Sequence, residues 1–149
     1  MTTRFKLVPY SNDDYDFVYE TKKNAYKHYV ELNYGEWNEE QQREFYKEFL
    51  NSCADEIEII MLDDEKIGFV NGRVVDEKLY EQGNICIIPK HQGKGLGTEY
   101  LTNLFKTHAD KKINLRVFKQ NPAQNLYKRL GFEFVSETKT HYYMTKKQI

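Results

Sequence analysis

Apolar positions along this chain recur with two periods, and the switches between them predict its elements. Arg4 to Val8 alternates weakly and stops at Pro9, as a first strand would. Ser11-Asn-Asp-Asp14 then offers cap-type residues and acids for a helix start, and Tyr15, Val18, Ala25 or Tyr26, Tyr29 and Leu32 follow at three- and four-residue steps. Asn33-Tyr-Gly-Glu-Trp-Asn38 breaks that helix. Asn38-Glu-Glu-Gln41 reads as a second start, with Phe45, Tyr46, Phe49, Leu50 and Cys53 giving the next helix an apolar face. Ile57 to Leu62 and Ile67 to Val75 are strand-like runs joined by Asp63-Asp-Glu-Lys66, a hairpin, and Leu79 to Ile88 is a third strand in succession.

The helical period returns at Leu96, Tyr100, Leu101, Leu104, Phe105 and His108. Ile113 to Phe118 is a strand, Pro122 to Leu130 a short helix stopped by Gly131, and Phe132 to Val135 and His141 to Thr145 close the chain as two strands. That order predicts a mixed α+β domain around one sheet. With no linker-like segment and no internal repeat, residues 1–149 are expected to form one domain.

Composition narrows the class. A hydrophobic share of 40% with 15% aromatic residues is above what disordered chains carry, and 149 residues suffice to bury a core. Lys and Arg number 22 against 23 Asp and Glu, which leaves no electrostatic footprint for nucleic acid. The opening Met-Thr-Thr-Arg-Phe-Lys lacks the apolar core of a signal peptide, and no apolar run approaches the ~20 residues of a membrane span. A soluble cytoplasmic protein without a membrane partner is expected. Cys53 and Cys86 lack a CxxC partner and read as reduced packing residues. His28, His91, His108 and His141 are dispersed with no carboxylate at ligand spacing, so no metal is expected.

Candidate chemistry concentrates in Ile85-Cys-Ile-Ile-Pro-Lys-His-Gln-Gly-Lys-Gly-Leu-Gly-Thr98, where a buried strand enters a loop of alternating glycines and then a helix. Such a loop turns backbone N–H groups toward one point, and the helix dipole adds partial positive charge there. Phosphate or pyrophosphate is the natural occupant. A dinucleotide fingerprint requires Gly-x-Gly-x-x-Gly, but the last position falls on Thr98 or Tyr100; a P-loop requires Lys before a hydroxyl, but Lys94 lies between glycines.

Gln92-x-x-Gly95-x-Gly97, after a strand and before a helix, resembles the acyl-CoA signature of the GNAT (GCN5-related N-acetyltransferase) family, and Asn121-Pro-Ala-Gln-Asn-Leu-Tyr-Lys-Arg-Leu-Gly-Phe132 resembles that family's second signature. The resemblance implies a mostly antiparallel sheet of six or seven strands flanked by about four helices. It also implies acetyl-CoA as donor, with pyrophosphate on the amides of Gln92, Gly93, Lys94, Gly95, Leu96, Gly97 and Thr98. Backbone groups of Ile85, Cys86, Ile87 and Ile88 would pair with the pantetheine arm, N–H groups from Cys86 to Ile88 polarising the thioester carbonyl. Asn121 and Asn125 would bond the pantetheine or cap the short helix. Tyr127 matches the tyrosine whose hydroxyl approaches the CoA sulfur, and Glu81 is the positional match for the general base.

The acceptor implied is a primary amine of a small molecule or peptide, attacking directly in a ternary complex with no acyl group on Cys86. Its pocket, by the same resemblance, draws on Tyr34, Glu36, Trp37, Tyr142 and Tyr143; aromatics with a few acids suit a cationic amine. A catalytically silent CoA-binding module is the alternative, and an exposed edge in the last strands would allow a homodimer.

Overall fold

Strands and helices follow one another as the periodicity predicts. A computed structural model describes residues 3–148. Its elements are β1 (Lys6–Pro9), α1 (Tyr15–Tyr34), α2 (Glu39–Cys53), β2 (Ile57–Leu62), β3 (Glu65–Asp76), β4 (Leu79–Ile87), α3 (Leu96–Thr107), β5 (Lys112–Phe118), α4 (Ala123–Arg129), β6 (Glu133–Glu137) and β7 (His141–Lys146). The strands form a seven-stranded sheet ordered β1-β2-β3-β4-β5-β7-β6. Pairing is parallel between β4 and β5 and antiparallel for β1 with β2, β2 with β3, β5 with β7 and β6 with β7. Local chemistry sets the boundaries: Asn38 Oδ1 accepts from Gln41 N at 2.8 Å to start α2, and Gly35, at φ 94°, ends α1. Pro9 is tolerated because β1 is an edge strand.

The chain divides into two compact units. One holds residues 3–71 together with Asn84–Gln92. Its core is Val18, Tyr19, Tyr46, Ile57, Ile59, Phe69 and Cys86, with Tyr46 edge-on to Tyr15 and Tyr19 and its hydroxyl donating to the Tyr15 carbonyl at 2.7 Å. The other unit holds Gly72–Gly83 and the chain from Gly93 onward. Here α3 buries Leu96, Tyr100, Leu101, Leu104 and Phe105, and β5 buries Ile113, Leu115 and Val117, the period-two set. The Tyr100 hydroxyl donates to buried Gln82 at 2.9 Å, and the Phe105 and Phe132 rings lie 5.8 Å apart.

β4 changes phase along its length. Its ladder with β5 covers only Leu79–Glu81 against Lys112–Asn114, and just before it Lys112 N donates to the Lys78 carbonyl at 2.9 Å. Even-numbered backbone groups therefore face β5 at this end. At the other end Ile88 N donates to the Ile67 carbonyl of β3 at 2.8 Å, and Asn84 N donates to Asn71 Oδ1 at 2.8 Å. Even-numbered groups now face β3, so the strand slips by one residue around Gly83, as a bulge does. Asn71, only 7% exposed, holds the slip by accepting from both the backbone N and Nδ2 of Asn84. Ile85 and Ile87 consequently turn their backbone groups away from β3.

The edge expected to allow a homodimer is β6, whose pairing with β7 shifts register between Phe134 and Ser136. A bulged edge strand discourages strand-to-strand pairing with another copy.

Candidate functional site

The glycine loop is built by backbone angles that side chains disfavour. Gly93 has φ 75° and Gly95 φ 79°; Gly95 is the N-cap of α3 and brings no side chain to cap it. The N–H groups of Leu96, Gly97 and Thr98 thus lie among the first-turn donors that a helix leaves without internal partners, at the positive end of its dipole. A Cβ at Gly93 would meet nothing within 4 Å, and one at Gly97 would meet only Leu126 Cδ2, at an ordinary 3.5 Å. At Gly93 the positive φ already calls for glycine; at Gly97 packing does not, and a helical glycine there costs roughly 1 kcal/mol relative to alanine. A group that must approach the backbone closely explains Gly97, and the residues present fit an anion such as a pyrophosphate. Leu96 is itself buried, so its part in such a cradle is its amide; Lys94 is exposed.

Three further contacts hold the loop's approach. Gln92 Nε2 donates to the Ile87 carbonyl at 2.8 Å, so its side chain braces the strand end. Buried His91 meets Glu65 Oε1 through Nε2 at 3.0 Å, and Lys90 Nζ pairs with the same carboxylate at 3.1 Å. Sequence reading missed Glu65, which stands on another strand with no local signal linking it to His91.

Of the four residues assigned to the pantetheine arm, Ile85, Cys86 and Ile87 of β4 and Ile88 just after it, two are turned the wrong way. Ile88 N already donates to Ile67, and the Cys86 carbonyl faces β3, where a Cβ on Gly68 would lie 2.2 Å from it. Ile85 and Ile87 are the ones whose backbone groups turn away from β3. The Cys86 side chain is 1% exposed, and burial pushes its thiol up to about 11. A neutral buried thiol is a poor nucleophile.

In the other unit, the second signature forms α4 and its flanks. The Asn121 side chain accepts from Ala123 N at 2.9 Å, which ties it to the start of α4, one residue before the N-cap Pro122; Asn125 is exposed. Tyr127 is half-buried with its ring edge-on to Phe132 at 5.8 Å, and its carbonyl accepts from Phe132 N at 2.9 Å. Glu81 pairs with Arg73 at 3.4 Å and stands opposite Asn114 in the β4–β5 ladder.

The five acceptor-pocket candidates separate. Tyr34 ends α1, and Glu36 and Trp37 belong to the α1–α2 connection. Tyr34 is 63% exposed and Glu36 is exposed, but Trp37 is committed: its Nε1 donates to Glu39 Oε2 at 2.7 Å and Lys23 Nζ stands 5.8 Å from its ring centre. Tyr142 and Tyr143, consecutive on β7, point to opposite sheet faces. Tyr142 lies across from buried Val117 and edge-on to Phe134, while Tyr143 lies across from exposed Arg116. They cannot line one pocket together.

Glu39 organises the connection. Hydrogen bonds from Trp37, Lys23 and the Tyr19 hydroxyl hold its carboxyl down at about 2. That value lies below the ordinary 4.5, so the stabilisation is complete above about pH 4.5 and is lost as pH falls toward 2. The Tm difference between wild type and Glu39→Gln is therefore expected to shrink steadily from pH 5 to pH 2 in thermal melts; a constant difference would show that the carboxylate's charge is immaterial.

Among the described residues no group of three or more His, Cys, Asp or Glu side chains is gathered as a metal requires, and no helix is long and apolar enough to cross a membrane.

Residues 22–132 match the model of the Acetyltransferase (GNAT) family. Over 68 residues the chain is 37% identical to an uncharacterized N-acetyltransferase of Bacillus subtilis, YobR; the match takes in 43% of this chain and 26% of that protein. The fold is similar to the PaiA N-acetyltransferase of Thermoplasma acidophilum, crystallised in complex with coenzyme A, at 19% identity, TM-score 0.70 and 99% of each chain. It is also similar to an acetyltransferase of Thermus thermophilus, at 16% identity and TM-score 0.73 over 95% of this chain and 96% of that one.

Proposed function

The chain belongs to the acetyltransferase (GNAT) family, and on that premise we propose that it transfers an acetyl group from acetyl-CoA to a primary amine of a small molecule or peptide, by direct attack in a ternary complex. The observation that carries this reading is the start of α3, where the N-cap Gly95 and the preceding Gly93 are both left-handed glycines. The coenzyme A complex of the structurally similar PaiA protein supports the donor's identity. Acetyl-CoA supplies a thioester carbonyl open to attack by an amine.

The amides of residues 93–98 would hold the pyrophosphate, and the backbone of Ile85 and Ile87 would lie along the pantetheine arm. The Tyr127 hydroxyl places a proton where the departing sulfur needs one: a phenol of ordinary pKa ~10 can protonate the thiolate of a thiol near ~8.5. Glu81 takes the proton that an alkylammonium must lose before it can attack, and Arg73 keeps that carboxylate in place. Asn121 acts through α4, whose first residue Ala123 donates its N–H to the Asn121 side chain, and so positions Tyr127. The balanced charge of the chain supports work without nucleic acid as partner.

Thiol release from acetyl-CoA over a panel of polyamines, aminoglycosides, amino acids and peptides tests the proposal; a rate that depends on the amine is the expected result. Coenzyme A binding with no such release across the panel would point instead to a silent CoA-binding module. Cys86→Ala is expected to keep at least about half of the wild-type rate, since a thiol pushed up to about 11 does not serve as nucleophile. Loss of turnover in that variant with coenzyme A still bound would overturn direct transfer.

A further inference from the structure

The unit formed by Gly72–Gly83 and the chain from Gly93 onward has an open sheet face that the proposed chemistry uses only at Glu81. On β5 the residues Ile113, Leu115 and Val117 are buried, so Asn114, Arg116 and Phe118 share the other face. Register extends that face across the neighbours: Glu81 stands opposite Asn114, Tyr143 opposite Arg116, and His141 opposite Phe118. The Phe118 and His141 rings pack 4.1 Å apart, and His141 Nδ1 lies 2.8 Å from the Thr140 hydroxyl. Burial, and after it the nearby Arg116 charge, pulls the His141 pKa down, so this neighbour brings no compensating charge.

Arg116 stands at the centre of the face. It is exposed, and among the described residues no carboxylate pairs with it: Glu81 is engaged by Arg73, and Glu137 by Lys119 at 3.2 Å. A planar guanidinium between two aromatic positions and without an acid is poised for a planar anion in two-point contact. Its strand position is two residues, roughly 7 Å, beyond the residue opposite Glu81, so a cationic and an anionic end of one small molecule can be read on the same face.

We propose that Arg116 is the carboxylate-binding residue of the acceptor site, and that the acceptor is an amine that also carries a carboxylate. This rests on the acetyl-transfer reading above and narrows it: the ammonium end goes to Glu81, the carboxylate to the Arg116 fork, and the Tyr143 ring borders the space beside them.

The test compares amino acids with their amides as acceptors in the thiol-release assay. Wild type is expected to favour the acids. Arg116→Gln is expected to lower kcat/KM for the acids by about 30-fold, chiefly through KM, with a change below about threefold for the amides, and Arg116→Lys to recover part of the loss. An equal loss on acids and amides, or a wild-type preference for the amides, overturns the assignment. If no amine supports thiol release, the acetyl-transfer reading fails, and the carboxylate site is decided separately by titrating N-acetylglycine and N-methylacetamide while following the Arg116 Nε–H resonance. A saturable shift with N-acetylglycine alone supports the site; no shift, or the same shift with both, overturns it.

Discussion

Tyr127→Phe is expected to lower kcat about 100- to 1,000-fold with the best acceptor, while acetyl-CoA binding changes by less than about threefold. The substitution removes one oxygen from a ring whose position is set by other contacts: the edge-on packing against Phe132 and the backbone bond from Phe132 N to the Tyr127 carbonyl both survive in phenylalanine. The loss is therefore chemical, the proton for the departing sulfur, and belongs in kcat. Steady-state kinetics with both substrates varied, beside calorimetric titration of coenzyme A, separate the two quantities. An unchanged kcat would remove Tyr127 from the mechanism; a parallel collapse of coenzyme A binding would make it a binding residue.

Gly68→Ala is expected to destabilise the fold by about 3 kcal/mol. A Cβ there would sit 2.2 Å from the Cys86 carbonyl oxygen and 3.1 Å from the Ile87 Cα, both main-chain atoms that cannot rotate aside. β3 and β4 would have to part where β4 leaves Ile85 and Ile87 turned outward. Urea melts should show a lower midpoint at unchanged slope, and coenzyme A affinity should fall alongside. A variant as stable as wild type would mean that the strands yield cheaply at this point.

The sequence declared its elements because period and capping are local. Asn38 and Gly131 mark ends that need no tertiary information, and the glycine loop and α3 appear where a left-handed turn must precede a helix. What escaped was non-local. The phase slip of β4 depends on Asn71, thirteen residues upstream, and without it Ile85 to Ile88 look equivalent; with it, Cys86 and Ile88 are turned toward β3. Asn121 can serve coenzyme or helix, and the Ala123 N–H bond, invisible in the sequence, engages its side-chain oxygen with the helix start. Tyr142 and Tyr143 were paired as aromatics, although strand alternation alone sets them on opposite faces. Arg116 carried no motif at all. Its significance comes from register, which lays Tyr143 across from it and leaves the acids of neighbouring positions to other cations.

Trp37 is the single tryptophan of the chain, and it is held between the Glu39 carboxylate and the Lys23 ammonium in the α1–α2 connection. Its fluorescence is accordingly an intrinsic dye with one address. Excited above the tyrosine absorption band, the protein emits from this connection alone, and the two flanking charges make the emission wavelength sensitive to any rearrangement there. An amine that engages the α1–α2 connection would announce itself optically without a label, in the same cuvette in which thiol release is followed.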